Sequence, residues 1–340
     1  MTAPAPTKRT PVWQILAGVI ISAVLIFFSF RGVNFREVLE YVRSARTVPI
    51  VLGVTLATLT FVLRIFRWQL LLKGDDGRQL GVAPLWHAIA MGFMANNTLP
   101  LRMGEVVRTY AAARLTSTRF TSVLASIAVE RLFDAVTVIS LLALGLFTTR
   151  LPGDAVAGFG VQRIVTVAGA LVLAGLGIAA AVVAFPDAAE RTIRRLVPGE
   201  KLAGKLIGMI EGVRHGFSVL RSPARIAGVL AWSFAIWGMS AVSFYVMLGA
   251  FDIGNVDFSG ALLMQGLIMF GIAVPSTPGY AGAFELPIIA VLALYGIPKS
   301  QALAYALTYH ITTFIPITLL GAWSIFRTGL GLAALQRENR

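Results

Sequence analysis

Cysteine is absent from the chain. Disulfides, thiolate metal sites and cysteine nucleophiles are therefore excluded, and cysteine usage leaves the redox compartment open. The three histidines, His87, His215 and His310, are scattered without metal-ligand spacing, so neither a metal nor another cofactor is expected. No Gly-x-x-x-x-Gly-Lys-Ser/Thr loop occurs, which argues against ATP as a direct driver. Charge is scarce as well, at 13% of residues, and no polar stretch is long enough to form a soluble catalytic domain.

What fills the chain instead is apolar: 57% of its 340 residues are hydrophobic, more than one soluble core of this size could hide. The solvent is then lipid. Apolar runs near 20 residues recur along the length, and in hydrocarbon each backbone N–H and C=O must be satisfied within its own segment, which selects helices. The runs do not alternate as barrel strands do. Full spans are read at 12–30, 48–72, 120–148, 160–186, 223–250 and 301–326. The first follows Lys8 and Arg9 without a clear cleavage site, and reads as an uncleaved span.

Two further apolar stretches are broken. Pro84 to Leu99 runs into LPLRMGEVVR, whose Arg102, Glu105 and Arg108 forbid a lipid-facing second limb at membrane depth. Phe258 to Ile297 is interrupted by PSTPGYAG, where prolines remove donors and glycines permit a reversal. The expected fold is an all-α polytopic integral membrane protein of about six full transmembrane helices plus two re-entrant or broken helical hairpins, eight to nine apolar segments in all. It is one transmembrane domain, with an N-terminal half 1–186, a cytoplasmic amphipathic connector 187–222, a C-terminal half 223–330 and a tail 331–340. Residues 31–47 place Phe35, Val38, Leu39 and Val42 on one helical face, as a surface-lying helix does.

The net charge of +13 arises from short loops beside spans and not from a basic domain, so no nucleic-acid partner is expected. With the first broken element re-entrant, 21 basic residues fall on one side and seven on the other. The richer side, which carries both termini, is expected in the cytoplasm. Pro100 and Gly104 recur at Pro278 and Gly282, both offset by 178 residues, and each pair is followed by an acid, Glu105 or Glu285. Broken segments at corresponding positions of two halves point to an inverted repeat with a midplane site.

The chemistry-bearing residues cluster at these breaks and in one span. ERLFD places Glu130, Arg131 and Asp134 about ten residues into 120–148, where each charge needs a partner or a wet cavity. Glu130 and Asp134 share a helical face, so a proton or cation held between them, or a structural ion-pair network, is expected. Arg102 and Arg108 are candidate phosphate donors beside Glu105, Asn97 and the close-approach Gly104. In the second break Ser276 and Thr277 supply hydroxyls, Gly279 and Gly282 unhindered backbone, and Glu285 an acid that would also suit a helix start. Arg64 and Arg67 close the second span, and His310 among threonines is a candidate proton relay.

Taken in order, RIFRW from Arg64, NNTLPLRMGEVVR, ERLFD and PSTPGYAGAFE resemble the lysylphosphatidylglycerol synthase transmembrane-domain family, the flippase-like membrane part of bacterial multiple peptide resistance factors. The resemblance covers about residues 10–330. It implies translocation of a phospholipid or other charged-headgroup lipid between leaflets, with re-entrant elements paired around a central cavity. It carries Arg102, Glu105 and Arg108 onto the family's Pro-x-Arg-x-Gly-Glu element, Glu130, Arg131 and Asp134 onto Glu-Arg-x-x-Asp, and Pro278, Gly279, Gly282 and Glu285 onto Pro-Gly-x-x-Gly-x-x-Glu. An aminoacyl-transferase portion is not among these residues, so synthesis of lysylphosphatidylglycerol is not expected of them.

The expected function is a flippase or scramblase of the bacterial cytoplasmic (inner) membrane, with a membrane lipid as substrate, proton or cation coupling, and a homo-oligomer allowed. Two other classes compete with it: a membrane-embedded lipid-phosphate enzyme, and a non-transporting accessory subunit of a lipid-linked glycosyltransferase.

Overall fold

The computed structural model describes residues 12–99, 103–149, 186–196, 204, 207, 222–273 and 278–330. Among these there are eleven α-helices: α1 (Val12–Phe30), α2 (Phe35–Ser44), α3 (Thr47–Leu71), α4 (Val82–Thr98), α5 (Gly104–Thr116), α6 (Phe120–Thr148), α7 (Pro186–Leu196), α8 (Pro223–Leu248), α9 (Phe258–Ala273), α10 (Glu285–Leu294) and α11 (Lys299–Thr328). The span expected at 160–186 and most of the connector lie outside the described residues.

Segments Thr47–Leu71, Pro223–Phe251 and Lys299–Thr328 are long and apolar enough to cross a membrane. At 1.5 Å per residue, helices of 25 to 30 residues reach about 37–45 Å, beyond the ~30 Å of hydrocarbon. The 29-residue α6 matches them in length but carries the ERLFD charges. The burial pattern is that of a protein in lipid: Phe147 and Phe326 are 86% and 88% exposed, whereas Arg67 and Glu130 are fully buried. Local signals also act where they stand. The Asn34 side chain accepts from the Arg36 N–H at 3.1 Å and donates to Glu37 at 3.0 Å, capping α2. That helix buries Val38 and leaves Phe35, Leu39 and Val42 as its exposed apolar face.

Both broken stretches are helical hairpins. Helices α4 and α5, of 17 and 13 residues, pack side by side, as do α9 and α10, of 16 and 10. None is long enough to cross hydrocarbon unaided. The charged second limb of the first hairpin does exist, because α5 lies against α4 and α6 and turns Arg108 inward, away from lipid. The tips of the two hairpins meet: helix α4 touches the 3-10 turn Pro278–Tyr280 that precedes α10.

The principal contacts join two four-helix groups, α3–α6 and α8–α11, each made of a long helix, two shorter helices and a long helix. Helix α3 packs on α8. The first hairpin limb of each unit crosses to the last helix of the other, α4 onto α11 and α9 onto α6. Two apolar cores result, one built mainly from α3–α6 and one from α8–α11.

Glycine makes the hairpins possible at two points. A Cβ on Gly104 would overlap the Gly92 carbonyl and the side chain of Asn96, whose Oδ1 accepts from the Gly104 N–H at 2.9 Å. At Gly282, φ is +80° and a Cβ would strike the α1 backbone at Leu25 and Ile26. Gly104→Ala is expected to cost about 1–3 kcal/mol by forcing the limbs apart, read as a lower Tm in detergent. Gly238→Ala on α8, where an added Cβ meets nothing within 4 Å, is expected to leave Tm unchanged or raise it.

Candidate functional site

Helix α3 turns Arg64, Arg67 and Trp68 inward one turn apart, α5 contributes Arg108, α6 contributes Glu130, Arg131 and Asp134, and α8 contributes Ser233 and Trp237. All of them except Arg64 join one network, buried but for the partly exposed Arg131. Glu130 receives a two-pronged fork from Arg108, Nη1 to Oε1 and Nη2 to Oε2, both at 2.8 Å. The Glu130 Oε1 also takes Arg131 at 2.8 Å and Arg67 at 3.1 Å. Asp134 Oδ1 accepts from Arg67 at 2.5 Å and from the Trp237 indole at 2.8 Å. Arg67 further donates to Ser233 at 3.0 Å. The Arg108 guanidinium lies 3.8 Å above the Trp68 ring, and Trp68 is held by Ser126 at 2.9 Å.

This geometry decides one expectation and corrects another. Of the two arrangements expected for Glu130 and Asp134, the ion-pair network is the one present, with arginines from α3, α5 and α6 against the carboxylates. Arg67, expected at the substrate, is fully buried and aimed at Glu130, Asp134 and Ser233, so it braces the bundle. Arg108 is likewise committed to Glu130, although its stem borders the cavity described next.

A cavity of about 210 Å³ opens between the two units and draws its walls from α3, α4, α5, α6, α8, α9 and α11. Arg64, Glu105, Arg108 and Arg131 supply charge, Asn96, Asn97, Ser240 and Gln265 supply neutral polar groups, and Phe61, Phe93, Trp237, Tyr280, Phe284, Tyr309 and Phe314 supply ring surface. Asn97 is steadied by donating to Thr318 at 2.8 Å. Arg64 differs from its neighbours. It is 7% exposed, its Nε and Nη1 have no hydrogen-bond partner among the described residues, and its guanidinium centre stands 5.2 Å from the Phe93 ring, 5.4 Å from Trp237 and 6.0 Å from Phe61. Rings offset part of the cost of burying that cation but satisfy none of its donors.

In the second unit Glu285 is buried at the start of α10. One carboxylate oxygen accepts from the Gly282 N–H at 2.7 Å, and the other meets His310 Nδ1 at 2.5 Å. Glu285 thus closes the glycine turn and ties it to α11. Neither residue lies on the cavity wall: the His310 ring packs 4.3 Å from Phe284 and 4.2 Å from Phe314, which do. Gly279, with φ +75°, stands beside the Asn97 carbonyl where the hairpin tips meet. Arg102, Ser276 and Thr277 lie outside the described residues.

Sequence reasoning missed Trp237, Ser233 and Gln265. An amide in the middle of the apolar run 258–273 is a signal that could have found Gln265. Nothing in sequence marks Trp237 or Ser233, because an α8 residue meets α6 only through packing.

Comparison with known proteins identifies the family. The model of the family described as lysylphosphatidylglycerol synthase TM region matches residues 15–321. Among curated proteins, glycosyltransferase AglD of Haloferax volcanii is 24% identical over 371 aligned residues, which cover 99% of this chain and 57% of that protein. The chain therefore spans little more than half the length of this relative.

Proposed function

Because this chain belongs to the lysylphosphatidylglycerol synthase TM region family, and is accordingly a multi-pass membrane protein, we propose that it moves a charged-headgroup lipid across the bilayer through the cavity between its two units, as a flippase or scramblase and not as an enzyme. The observation that carries the reading is Arg64: a buried cation with unpartnered donors on the wall of a cavity that both units enclose. An arginine held this way is suited to a phosphate oxygen, and the rings beside it to the apolar flank of a headgroup. The hairpins meeting at their tips support an inverted repeat whose two halves alternate in exposing the cavity. The excess of basic loops supports cytoplasmic termini in a bacterial inner membrane. With Glu130 and Asp134 committed to arginines, the Glu285–His310 pair is a place for proton coupling among the described residues, since it joins a hairpin turn to the last long helix.

The name of the Haloferax volcanii relative favours a second reading, in which this membrane part serves lipid-linked glycosyl transfer without moving lipid. Reconstitution separates the two. Liposomes carrying the native protein are expected to redistribute at least one fluorescent lipid among anionic, zwitterionic and aminoacylated species, and Arg64→Gln to slow that lipid about tenfold or more through loss of charge-assisted hydrogen bonds. An unchanged leaflet distribution for every lipid would reject transport and favour the second reading.

A further inference from the structure

Helix α2 joins the end of α1 to the start of α3 and is fastened to the body of the protein at both ends. Lys299, the first residue of α11, donates to the carbonyls of Phe28 and Arg31 at 2.9 and 2.7 Å and so holds the end of α1 where α2 departs. After α2, the Arg46 N–H donates to the Ala250 carbonyl at 2.9 Å, and the Arg46 guanidinium pairs with Asp252 at 2.5 Å. The long apolar α3 opens directly afterwards at Thr47. Helix α2 is thereby held level with the point where a span meets the membrane surface, and it packs on α11 and on the Gly249–Phe251 turn.

At about 100° per residue, side chains of four kinds follow one another around α2. Val38 is buried against the body, and Val42, Phe35 and Leu39 come next as an exposed apolar arc. Arg43 and Arg36 border that arc, and Glu40 and Glu37 lie beyond them. The arc is not an isolated patch. Phe35 stacks on Phe30 of α1 at 5.7 Å, and the neighbouring exposed side chains are Phe27 and Phe28 of α1 and Val48, Val51 and Leu52 of α3. The border nearest the arc is basic. Arg43 makes no ion pair among the described residues, and Arg36 meets Glu40 at 3.4 Å with both side chains in solvent, a contact that commits neither.

We propose that α2 is a seat for the bilayer surface: Val42, Phe35 and Leu39 enter the headgroup–acyl boundary at the level where α3 begins, and Arg43 and Arg36 gather anionic lipid phosphates along that edge. A helix lying in this boundary buries its apolar face while its arginines reach the phosphate level. Continuity with the apolar surfaces of α1 and α3 selects lipid over a protein partner, because a protein covering the arc would have to cover the spans beside it as well. Charge selects an anionic surface, since the acids of α2 lie on the far side of its arginines. The lipids recognised here surround the protein and never enter the cavity, so the inference needs only a chain that spans a membrane and not one that moves lipid.

The chain contains no cysteine, so Leu39→Cys and, on the opposite side of α2, Ser44→Cys each give one site for a neutral, environment-sensitive fluorophore. The full chain is placed in vesicles of phosphatidylcholine and phosphatidylglycerol in equal parts. The Leu39→Cys label is expected to be quenched by lipids spin-labelled near the headgroup and shielded from aqueous iodide, and the Ser44→Cys label to behave in the reverse way. Spin-labelled phosphatidylglycerol is expected to quench the Leu39→Cys label about fivefold more than spin-labelled phosphatidylcholine at the same concentration, as one arginine near an anionic surface would give. Arg36→Gln with Arg43→Gln is expected to bring that ratio to within about twofold. The depth of the label is expected to stay as it was, which shows on the same sample that the variant is folded. A Leu39→Cys label open to iodide overturns the seat. A label shielded from iodide yet unquenched by lipid means that a partner protein or a second copy covers the arc, and overturns lipid as the occupant. A native ratio near one, or a ratio that survives both arginine changes, overturns the anionic recognition. Loss of the ratio in inorganic phosphate, but not in sodium chloride of equal ionic strength, assigns the arginines to a soluble anion and overturns the lipid source.

Discussion

Glu130→Gln is expected to destabilise the protein by about 3–5 kcal/mol, the cost of breaking a buried ion pair from one side. The figure follows from how much converges on that carboxylate. Arg108 grips both oxygens, Arg131 and Arg67 share Oε1, and Glu130 itself lies out of contact with solvent. A neutral amide of the same size would leave Arg67 and Arg131 with Asp134 alone and Arg108 with no acid among these contacts, and two amide hydrogens would face guanidinium donors. Thermal unfolding in detergent is the measurement, with a large fall in Tm expected. Exposed Arg36–Glu40 on α2 serves as a control, since breaking an ion pair that faces solvent on both sides is expected to change little. A double change, Glu130→Met with Arg108→Met, is expected to recover much of the loss, because an apolar pair removes the unmatched charge along with its partner. If Glu130→Gln unfolds at the native temperature, the network does not brace the bundle.

Arg64→Met is expected to act with opposite signs on stability and on transport. Arg64 forms no ion pair within the described network and leaves buried donors unmade, so the folded protein bears its desolvation without the compensation that Arg67 and Arg108 receive. Methionine keeps an unbranched stem against Phe61, Phe93 and Trp237 and removes the charge. Stability should rise by about 0.5–2 kcal/mol, as at other sites where function holds a strained group in place. Lipid movement in liposomes should fall about tenfold or more, the loss expected when a charge-assisted contact to phosphate is removed. Tm and transport rate measured on the same preparation check both signs. A lower Tm would make Arg64 a structural residue like Arg67, and an unchanged rate would take it out of the pathway.

Much of the fold was legible in the chain because lipid is a severe solvent. An apolar run in which every backbone group must be satisfied internally has few alternatives to a helix, and α1, α3, α6, α8 and α11 begin and end within about two residues of the spans read from hydropathy, as element boundaries do. The two hairpins were legible for the converse reason: PSTPGYAG and LPLRMGEVVR cannot continue a lipid-facing helix, through lost donors in one and charge in the other. The ERLFD charges demanded partners, and they have them. Which partners they have was not legible. Glu130 and Asp134 are four residues apart and on one face, so sequence left open a proton or cation between them or an ion-pair network, and could not say that Arg67 reaches Asp134 from 67 residues away and Arg108 reaches Glu130 from 22. Spacing along one helix says nothing about which other helix will lie against it.

By itself, then, the sequence determined the solvent, the helices, the two breaks and the need to shelter several charges, since each of these follows from the transfer cost of a local segment. Only the tertiary structure decided how the charges were shared. Packing α3, α5, α6 and α8 together spends two carboxylates on Arg67, Arg108 and Arg131 and leaves Arg64 facing a cavity with Gln265. That division cannot be local, because identical guanidinium groups are paired or left unpaired according to whether a distant helix brings an acid within reach.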